Sequence, residues 1–302
     1  MSIKASKLYT RENLLNSIST MHFFIEESSR IINLYNSEPK TESLAMQERS
    51  SFPNKELIKD VHYRGHLSLE AAADHLMVFA ESISEPAKTI APWSCVRGLL
   101  ESSALAVWFL DPTIDAKTRV GRCFAFRYLG FTEQIKYFQV EKMYSQINKV
   151  KQRTKKVEND AISLGYPQQL NKKGEVCGIA RPMPSIVELI GITLNRESEY
   201  RLLSGVAHGH HWAVGQFGFR VSEEIINEQG LKAFVKYLHP ESVIFATNIA
   251  ITSLAKAFWY LAQLYGWDQK ETTNLLEKTY DKLSYNTKSR FWRSTPKQRS
   301  LQ

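Results

Sequence analysis

Apolar residues recur mostly every three or four positions along this chain, which is the spacing of one face of an α-helix. Residues 8–36 show this spacing first and predict a helix. Residues 37–58 are polar, contain Pro39 and Pro53, and predict a linker or loop. The helical spacing returns over residues 62–84, with an apolar stripe on one face and a polar stripe on another.

The third predicted helix differs from the first two, because its body "VRGLLESSALAVWFL" is apolar on almost every side. Such a helix is expected to be buried. Pro92 should open it, since proline is favoured in a first helical turn. A fourth helix should begin near Asp115 and either extend past Val150 or break near Gly130.

The second half of the chain also predicts helices, and neither an internal repeat nor a βαβ alternation occurs. The pattern therefore predicts an all-α helical bundle with long helices. We expect an N-terminal helix and linker over 1–58, a helical-bundle domain over 59–285 and a basic tail over 286–302. The elements predicted after the fourth helix are a loop over 165–184, helices over 185–194 and 199–214, an extended segment over 215–222, and helices over 240–265 and 269–284.

The composition is that of a soluble globular protein, with 43% hydrophobic and 23% charged residues among 302. Its three cysteines form no CxxC pair, which argues against a zinc ribbon or a disulfide framework. A reducing, cytoplasmic location is the simplest expectation. The best candidate for a membrane span, residues 243–267, carries Lys256 near its middle. A lysine there costs about 2.5–3.5 kcal/mol, so we expect a core helix and no membrane.

The formal net charge of +8 favours a polyanionic partner. Two clusters carry much of it, and the second interleaves basic with aromatic residues, which suits single-stranded RNA through phosphate contacts and base stacking. The alternative is a solvated helix face and a frayed tail. The candidate RNA-binding residues are Lys149, Lys151, Arg153, Lys155 and Lys156 in the first cluster, and Arg290, Trp292 and Arg293 in the second.

The stretch "EYRLLSGVAHGHHWAV", residues 199–214, contains three of the eight histidines. On a continuous helix Arg201 and His208 are almost two turns apart and share a face, whereas His210 points about 160° away from His208. The glycines of this stretch leave room beside the backbone for another helix or a ligand. A slanted stripe on the predicted helix holds Tyr200, Ser204, His208 and His211.

Glu101 is the only acidic residue of the apolar third helix before its end. A buried carboxylate is costly unless it is paired. Glu101 could therefore form an ion pair that joins the third and fourth helices, or it could orient the residues of the histidine-rich helix. The candidate partners are Arg97, Arg119 and Arg122 for the ion pair, and Arg201 and His208 for the orienting role.

A metal site is a weaker alternative. His208 and His211, together with His75 or Glu101, could bind zinc or iron, but neither Glu-x-x-His nor HExxH occurs. We therefore expect neither a metal nor a cofactor. The polar stripe of residues 199–214 could also be a hydrogen-bonded core network, because buried polar groups need partners whatever their role.

Four segments together carry a family resemblance: "RGLLESSALAVWFLDP", "TRVGR", "RPMPSIVEL" and "YRLLSGVAHG". They resemble a group of uncharacterised bacterial helical proteins, and over about residues 60–265 the chain is similar to the HEPN superfamily. The motif of that superfamily is an arginine and a histidine with four to six residues between them. Arg201 and His208 match it with six between, although Leu202 stands where the superfamily usually has a polar residue.

The resemblance implies a helical, often dimeric, metal-independent endoribonuclease of the kind found in toxin–antitoxin and phage-defence systems. Arg201 would clamp the phosphate and His208 would act as general acid or base. Ser204 and Tyr200 would hold the phosphate or the imidazole, and Glu101 would orient them. We accordingly expect a homodimer that acts on RNA with a partner protein of such a system. The alternatives are a non-catalytic helical scaffold with a buried polar network, and a metal-dependent helical-bundle enzyme.

Overall fold

Helices dominate the structure, a computed structural model that describes residues 11–84, 87–217, 219–225, 232–236, 238 and 240–286. The all-α prediction is confirmed, and the strands form only two short hairpins. The elements are α1 (Arg11–Leu34), α2 (Leu44–Ser51), α3 (Lys55–Ser82), α4 (Ala91–Leu110), α5 (Ala116–Val140), α6 (Tyr144–Ser163), β1 (Gln168–Leu170), β2 (Val176–Ile179), α7 (Ile186–Leu194), α8 (Glu197–Ala207), α9 (His211–Phe217), β3 (Phe219–Ile225), β4 (Lys232–Lys236), α10 (Pro240–Tyr265) and α11 (Gln269–Asn286).

Helix α4 lies at the centre of the bundle, as its apolar sequence predicts. Helices α3, α10, α8 and α7 pack around it, and large side chains such as Trp93 and Phe109 are fully buried. Burying each of these stabilises the fold by about 1.5–3 kcal/mol. Pro92 lies in the first turn, as expected. One half-buried stripe remains on α4, and it includes Arg97 and Glu101.

Helix α10 contains most of the apolar segment that is the candidate membrane span. Among the described residues it is the one helix long and apolar enough to cross a bilayer, and 67% of its apolar window is buried inside the bundle. This burial is typical of the core helix of a soluble protein. Lys256 on α10 donates a hydrogen bond to the carbonyl of Thr193 at 2.7 Å, so the bundle satisfies its ammonium group.

The predicted loop over residues 37–58 is wrong, because this segment contains α2 and the start of α3. Two polar side chains cap the helices: Ser43 accepts a hydrogen bond from a backbone N–H of the first turn of α2, and Asn54 does the same for α3. Such caps satisfy backbone donors that have no intrahelical partner. They place Ala45 and Glu48 of α2 in the interior.

The fourth predicted helix is two antiparallel helices, α5 and α6. Helix α5 begins beside Asp115 as expected, and the Asp115 side chain caps it, but the break comes at Lys142, which has a left-handed φ of 56°, and not at Gly130. The buried residues of α5 end at Ala125, and α6 packs mainly on α5. We call α6 and the part of α5 from Arg127 onward the α5–α6 arm, because it extends beyond the central core.

The segment 165–184 is not only a loop, since it contains the antiparallel hairpin of β1 and β2. Two tyrosine hydroxyls attach this region to α5: Tyr166 donates to the carbonyl of Lys117 at 2.6 Å, and Tyr128 of α5 donates to the carbonyl of Val176 at 2.8 Å. The extended segment predicted near residue 215 begins later, after α9, where β3 pairs with β4.

A buried ion pair between Glu48 of α2 and Arg119 of α5 joins two distant parts of the chain. Arg119 Nε lies 3.1 Å from Glu48 Oε2, and the Arg119 side chain has no exposed surface. The Arg119 guanidinium also donates to the carbonyls of Phe109 and Asp111 at the end of α4. His62 Nε2 lies 2.8 Å from Glu48 Oε2 on the other side. The pair therefore fastens α2, α3 and α5 to the C-terminal end of α4.

Burial and hydrogen bonding set the charge states of this cluster. Burial acts to raise the pKa of Glu48, but the hydrogen bond with His62 and the charge of Arg119 outweigh burial, and the pKa lies below its ordinary value. Burial lowers the pKa of His62 despite its contact with Glu48. Neutral His62 can donate from Nε2, while its buried Nδ1 has no hydrogen-bond partner among the described residues, so a proton there would be unsatisfied.

Removing Arg119 should destabilise the protein strongly. We expect Arg119→Met to lower the free energy of unfolding by about 3–5 kcal/mol, because Glu48 is left as an unpaired buried charge. Chemical denaturation measures the change. Arg30→Met is the matched control, since the Arg30–Glu27 pair is half exposed and should contribute less than about 1 kcal/mol. The double variant Glu48→Met/Arg119→Met should recover part of the loss. Equal losses of unfolding free energy in Arg119→Met and Arg30→Met would contradict the stabilising role of the buried ion pair.

Acidification should lower stability in two steps. Both His62 and Glu48 have pKa values lowered by folding, so the unfolded chain binds their protons more readily. The stabilisation is complete above the ordinary pKa of 6.5 for histidine, falls below it, and falls again below the ordinary 4.5 for Glu48. Denaturation midpoints measured across this range should show both steps. His62→Gln should shrink the upper step. Burial also lowers the pKa of His66, which supplies the remainder of that step. An unchanged upper step in His62→Gln would refute the assignment.

Candidate active site

The histidine-rich stretch does not form the single helix predicted over residues 199–214. Helix α8 ends at Ala207, and Gly209 adopts a left-handed φ of 69°. The N–H of His210 donates to the carbonyl of Gly205 at 2.9 Å, and the N–H of Gly209 donates to that of Val206 at 3.0 Å. This pair of bonds is the Schellman motif, which ends helices at a glycine. A new helix, α9, then begins at His211.

Gly205 lets α9 fold back against α8. A Cβ atom at Gly205 would lie 2.8 Å from the Cβ of Ala213 and 2.9 Å from Cζ2 of Trp212. Real Cβ atoms do not approach other atoms so closely, so this contact needs glycine. The expectation that a glycine of this stretch makes room for another helix is confirmed at Gly205. A ligand was the other possible occupant of the space beside Gly205, but α9 fills that space.

The turn between α8 and α9 brings two imidazole rings together. The ring centroids of His208 and His210 are 6.2 Å apart, with the ring planes tilted by 59°, and both residues are exposed. The prediction that His210 points away from His208 is wrong, because it assumed a helix that continues past Gly209. The signal that could have corrected it was Gly209 itself, since glycine is strongly enriched just after a helix ends.

Arg201 lies on the exposed face of α8, almost two turns before His208. Its Nε and Nη2 atoms donate to Glu197 Oε1 at 2.9 and 2.8 Å, and 62% of the Arg201 side chain is exposed. An exposed i, i+4 pair of this kind contributes about 0.3–0.5 kcal/mol. The guanidinium is therefore held only weakly and remains available to an anion.

Glu101 links α4 to α8 through Tyr200. Its Oε1 atom accepts hydrogen bonds from Arg97 Nε at 2.9 Å and from the Tyr200 hydroxyl at 2.8 Å. The Arg97 guanidinium lies over the Tyr200 ring, 5.6 Å from its centroid. The predicted pairing of Glu101 with Arg97 is confirmed. Glu101 forms hydrogen bonds with neither Arg201 nor His208. It can therefore influence the α8–α9 turn only by fixing the position of α8.

The predicted ion pair from Glu101 to the fourth helix is wrong. Arg119 pairs with Glu48, and Arg122 lies 3.7 Å from Asp111 Oδ2 and donates to the carbonyl of Trp108. The reason is distance along α4. Glu101 lies nine residues before the end of α4, which is about 13 Å, whereas α5 begins beside that end.

Tyr200 and Ser204, the other two predicted site residues, lie partly inside the bundle. Burial and the hydrogen bond to Glu101 raise the pKa of Tyr200, so the phenol stays protonated and acts as a donor. The backbone carbonyl of Ser204 accepts the N–H of His208 at 3.0 Å, and the Ser204 side chain is half-buried. The structure thus places Tyr200 in a network that positions α8, while His208, His210 and Arg201 face solvent.

The alternative of a metal site requires several ligand side chains that lie close together. Among the described residues, no three His, Cys, Asp or Glu side chains come together in a group that could hold a metal ion. His75, one of the candidate ligands, packs its ring against Gly98, where a Cβ atom would lie 2.6 Å away.

The first of the two basic clusters is fully described and the second is not. The first lies on α6, where Lys149, Lys151, Arg153, Lys155 and Lys156 are all exposed. The tail residues Arg290, Trp292 and Arg293 lie outside the described residues.

Comparison with known proteins gives no relative. No protein family, no curated protein and no solved structure matches the chain. The similarity to the HEPN superfamily therefore stays a prediction that rests on the motif of Arg201 and His208 and the four segments around it. Support for a function has to come from the geometry of the α8–α9 turn.

The close approach of α8 and α9 gives a stability prediction. Gly205→Ala should lower the free energy of unfolding by about 1–3 kcal/mol, because the added methyl overlaps the backbone-proximal Cβ of Ala213. Gly130→Ala in α5 is the matched control, since nothing lies within 4 Å of its added Cβ. That control should stabilise by about 0.5–1 kcal/mol, through helix propensity alone. Thermal denaturation compares the two, and a neutral Gly205→Ala would contradict the described packing.

Proposed function

We propose that this protein is a metal-independent endoribonuclease whose catalytic groups lie at the α8–α9 turn. The observation that carries the proposal is the pair of exposed imidazoles of His208 and His210, 6.2 Å apart. Histidine is the side chain best suited to exchange protons near neutral pH. Two such rings beside an exposed arginine fit a reaction in which one proton is removed and another is supplied.

RNA provides its own nucleophile for such a reaction. One imidazole takes the proton of a ribose 2′-hydroxyl, whose oxygen attacks the adjacent phosphorus. The bond from phosphorus to the 5′-oxygen of the next nucleotide breaks, and the second imidazole gives that oxygen a proton. The products are a 2′,3′-cyclic phosphate and a free 5′-hydroxyl, so atoms and charge balance without a cofactor. His208 and His210 are the two proton-transfer groups, in either order.

Arg201 offsets the charge that develops on the phosphorane. A guanidinium can donate two parallel hydrogen bonds to phosphate oxygens. Arg201 lies on the same face of α8 as His208, and its bonds to Glu197 are exposed and weak. A bound phosphate would replace Glu197 as its partner. Glu101 and Tyr200 position α8 through their hydrogen bond and do not touch the reacting atoms.

A second copy of the chain would bring a second set of these groups to the site. Trp212, next to the turn, is 58% exposed, which supports a protein contact on this face. A two-fold axis there would bring two copies of Arg201 and His208 opposite each other. The biological setting we propose is a cytoplasmic toxin or phage-defence effector held in check by a partner protein.

A non-catalytic scaffold is the second candidate, and it has its own supporting observation. Glu101 Oε1 already accepts hydrogen bonds from Arg97 and Tyr200, and Arg201 already has Glu197 as a partner. In that case the α8–α9 turn would be a surface for protein contact, and its histidines would have no chemical role. The two candidates differ in one measurable property, which is cleavage of RNA.

Substitutions at the turn test the nuclease. In EDTA, labelled RNA should be cut by the wild type to products with 2′,3′-cyclic phosphate ends. His208→Ala and His210→Ala should each slow cleavage by about 10²–10⁴-fold, because each removes one proton-transfer group. Arg201→Ala should slow it by about 10²–10³-fold through lost charge stabilisation. Product ends and rates are read from denaturing gels.

His211→Ala is the matched control, because His211 is exposed and adjacent but its ring is not in contact with that of His208. It should cut RNA at close to the wild-type rate, and all variants should unfold at similar denaturant concentrations. A wild type that leaves RNA intact favours the scaffold. Cleavage that survives His208→Ala would show that the nuclease site lies elsewhere.

A further inference from the structure

The α5–α6 arm has a surface that the proposed chemistry at the α8–α9 turn does not use. Its inner face is apolar and holds the two helices together through residues such as Ile147, Val150 and Val157. Because α6 packs mainly on α5, most of the circumference of α6 faces solvent. The side chains on that free surface are therefore not needed to hold α6 in place.

Basic residues occupy the free surface of α6 in a regular order. Lys149, Arg153 and Lys156 follow one another at steps of four and three, so they form a single stripe. The stripe lines a shallow, open groove of about 540 Å³ whose lining side chains all belong to α6. Arg153 is fixed in place, because its guanidinium lies over the Phe131 ring at 5.5 Å and donates to Gln134 at 3.2 Å.

Within the part of the chain that the structure describes, the charge of this stripe is not neutralised. Lys149 and Lys156 have no ion-pair partner in the part of the chain that the structure describes. Lys151 is also without one, and Lys155 is paired with Glu158 at 3.0 Å. Five basic residues and two acidic ones leave α6 with a net charge of +3. The groove therefore presents several cations to a partner that carries regularly spaced negative charge.

Exposed aromatic rings lie at the end of the arm, next to the basic stripe. Around the turn from α5 to α6, Tyr137 is 59% exposed and Tyr144 is 70% exposed, and Val140 and Met143 are also exposed. Tyr137 lies three residues after Gln134 on α5, and Gln134 accepts a hydrogen bond from Arg153 of the stripe. Tyr144 is on α6 itself but points about 140° away from Lys149, at about 100° per residue, so Tyr137 is the ring on the side of the basic stripe.

We infer that the α5–α6 arm binds single-stranded nucleic acid, with its phosphates along Lys149, Arg153 and Lys156 and a base stacked on Tyr137. An unpaired strand offers both a chain of phosphates and free base faces, which are the two chemistries that this surface provides. A duplex hides its base faces in the stack. The inference rests on the proposed function, because it takes RNA as the strand. It adds the surface that holds this RNA.

Binding can be measured apart from cleavage with a fluorescein-labelled 2′-O-methyl oligouridine, which has no free 2′-hydroxyl and cannot be cut. We expect the full chain to bind it with a salt dependence that reports phosphate contacts. Lys149→Gln/Lys156→Gln should weaken binding roughly tenfold or more at 0.1 M salt, and should make the slope of log affinity against log salt shallower by about 1.4, at about 0.7 per contact. Anisotropy titrations at several salt concentrations give both values.

Two further variants separate the aromatic and the charge contributions. Tyr137→Leu keeps an apolar side chain but loses the ring, so it should weaken binding about fivefold or more without changing the salt slope. Tyr144→Leu removes a ring on another side of α6 and should bind like the wild type. Lys270→Gln/Lys278→Gln on α11 is the matched control, because it makes the same charge change on another exposed helix surface. It should leave affinity and slope close to those of the wild type.

Each contrary outcome overturns the inference in a recognisable way. If the α6 and α11 variants lose affinity equally, the charge effect is general and the groove is not the site. If Tyr137→Leu binds normally and the wild type instead binds vesicles of phosphatidylserine and phosphatidylcholine, the arm contacts a membrane surface. Because His208→Ala should still bind the uncleavable strand, failure of the arm and failure of the nuclease are distinguishable. Normal binding without cleavage refutes only the nuclease, and cleavage with normal binding by every arm variant refutes only the arm.

Discussion

Helix α4 has to be buried on nearly every side, and this requirement determines how the other helices are arranged around it. Its apolar sequence can be covered only if several helices surround it, and α3, α10, α7 and α8 do so. The remaining half-buried stripe is where a charged residue such as Glu101 can be tolerated. At the C-terminal end of α4, the carbonyls need donors, and Arg119 supplies them while it pairs with Glu48.

The candidate site follows from how α8 is held against α4 and where α8 has to stop. Tyr200 ties α8 to Glu101, which fixes the face that presents Arg201. Gly205 admits α9, and Gly209 permits the left-handed turn between the helices. The contact between the two imidazoles is therefore a consequence of helix packing and termination, and it does not require a preformed cavity.

The sequence predicted elements better than it predicted partners. The all-α class, the burial of α4 and the start of a helix near Asp115 follow from local patterns and are confirmed. The ion pair of Glu48 with Arg119 could not be read from the sequence, since it joins residues 71 positions apart and the segment around Glu48 is polar. The prediction for His210 is wrong for a local reason: it applies the helical rotation of about 100° per residue across Gly209, where the helix ends.

In the proposed function, the α8–α9 turn cuts RNA by using the ribose 2′-hydroxyl as the nucleophile. The most direct test is a DNA oligonucleotide that contains one ribonucleotide, incubated with the wild type in EDTA. We expect a single cut immediately after the ribonucleotide, with a 2′,3′-cyclic phosphate on one product and a 5′-hydroxyl on the other. Cutting of the same oligonucleotide without the ribonucleotide, or cleavage that leaves a 5′-phosphate, would contradict it.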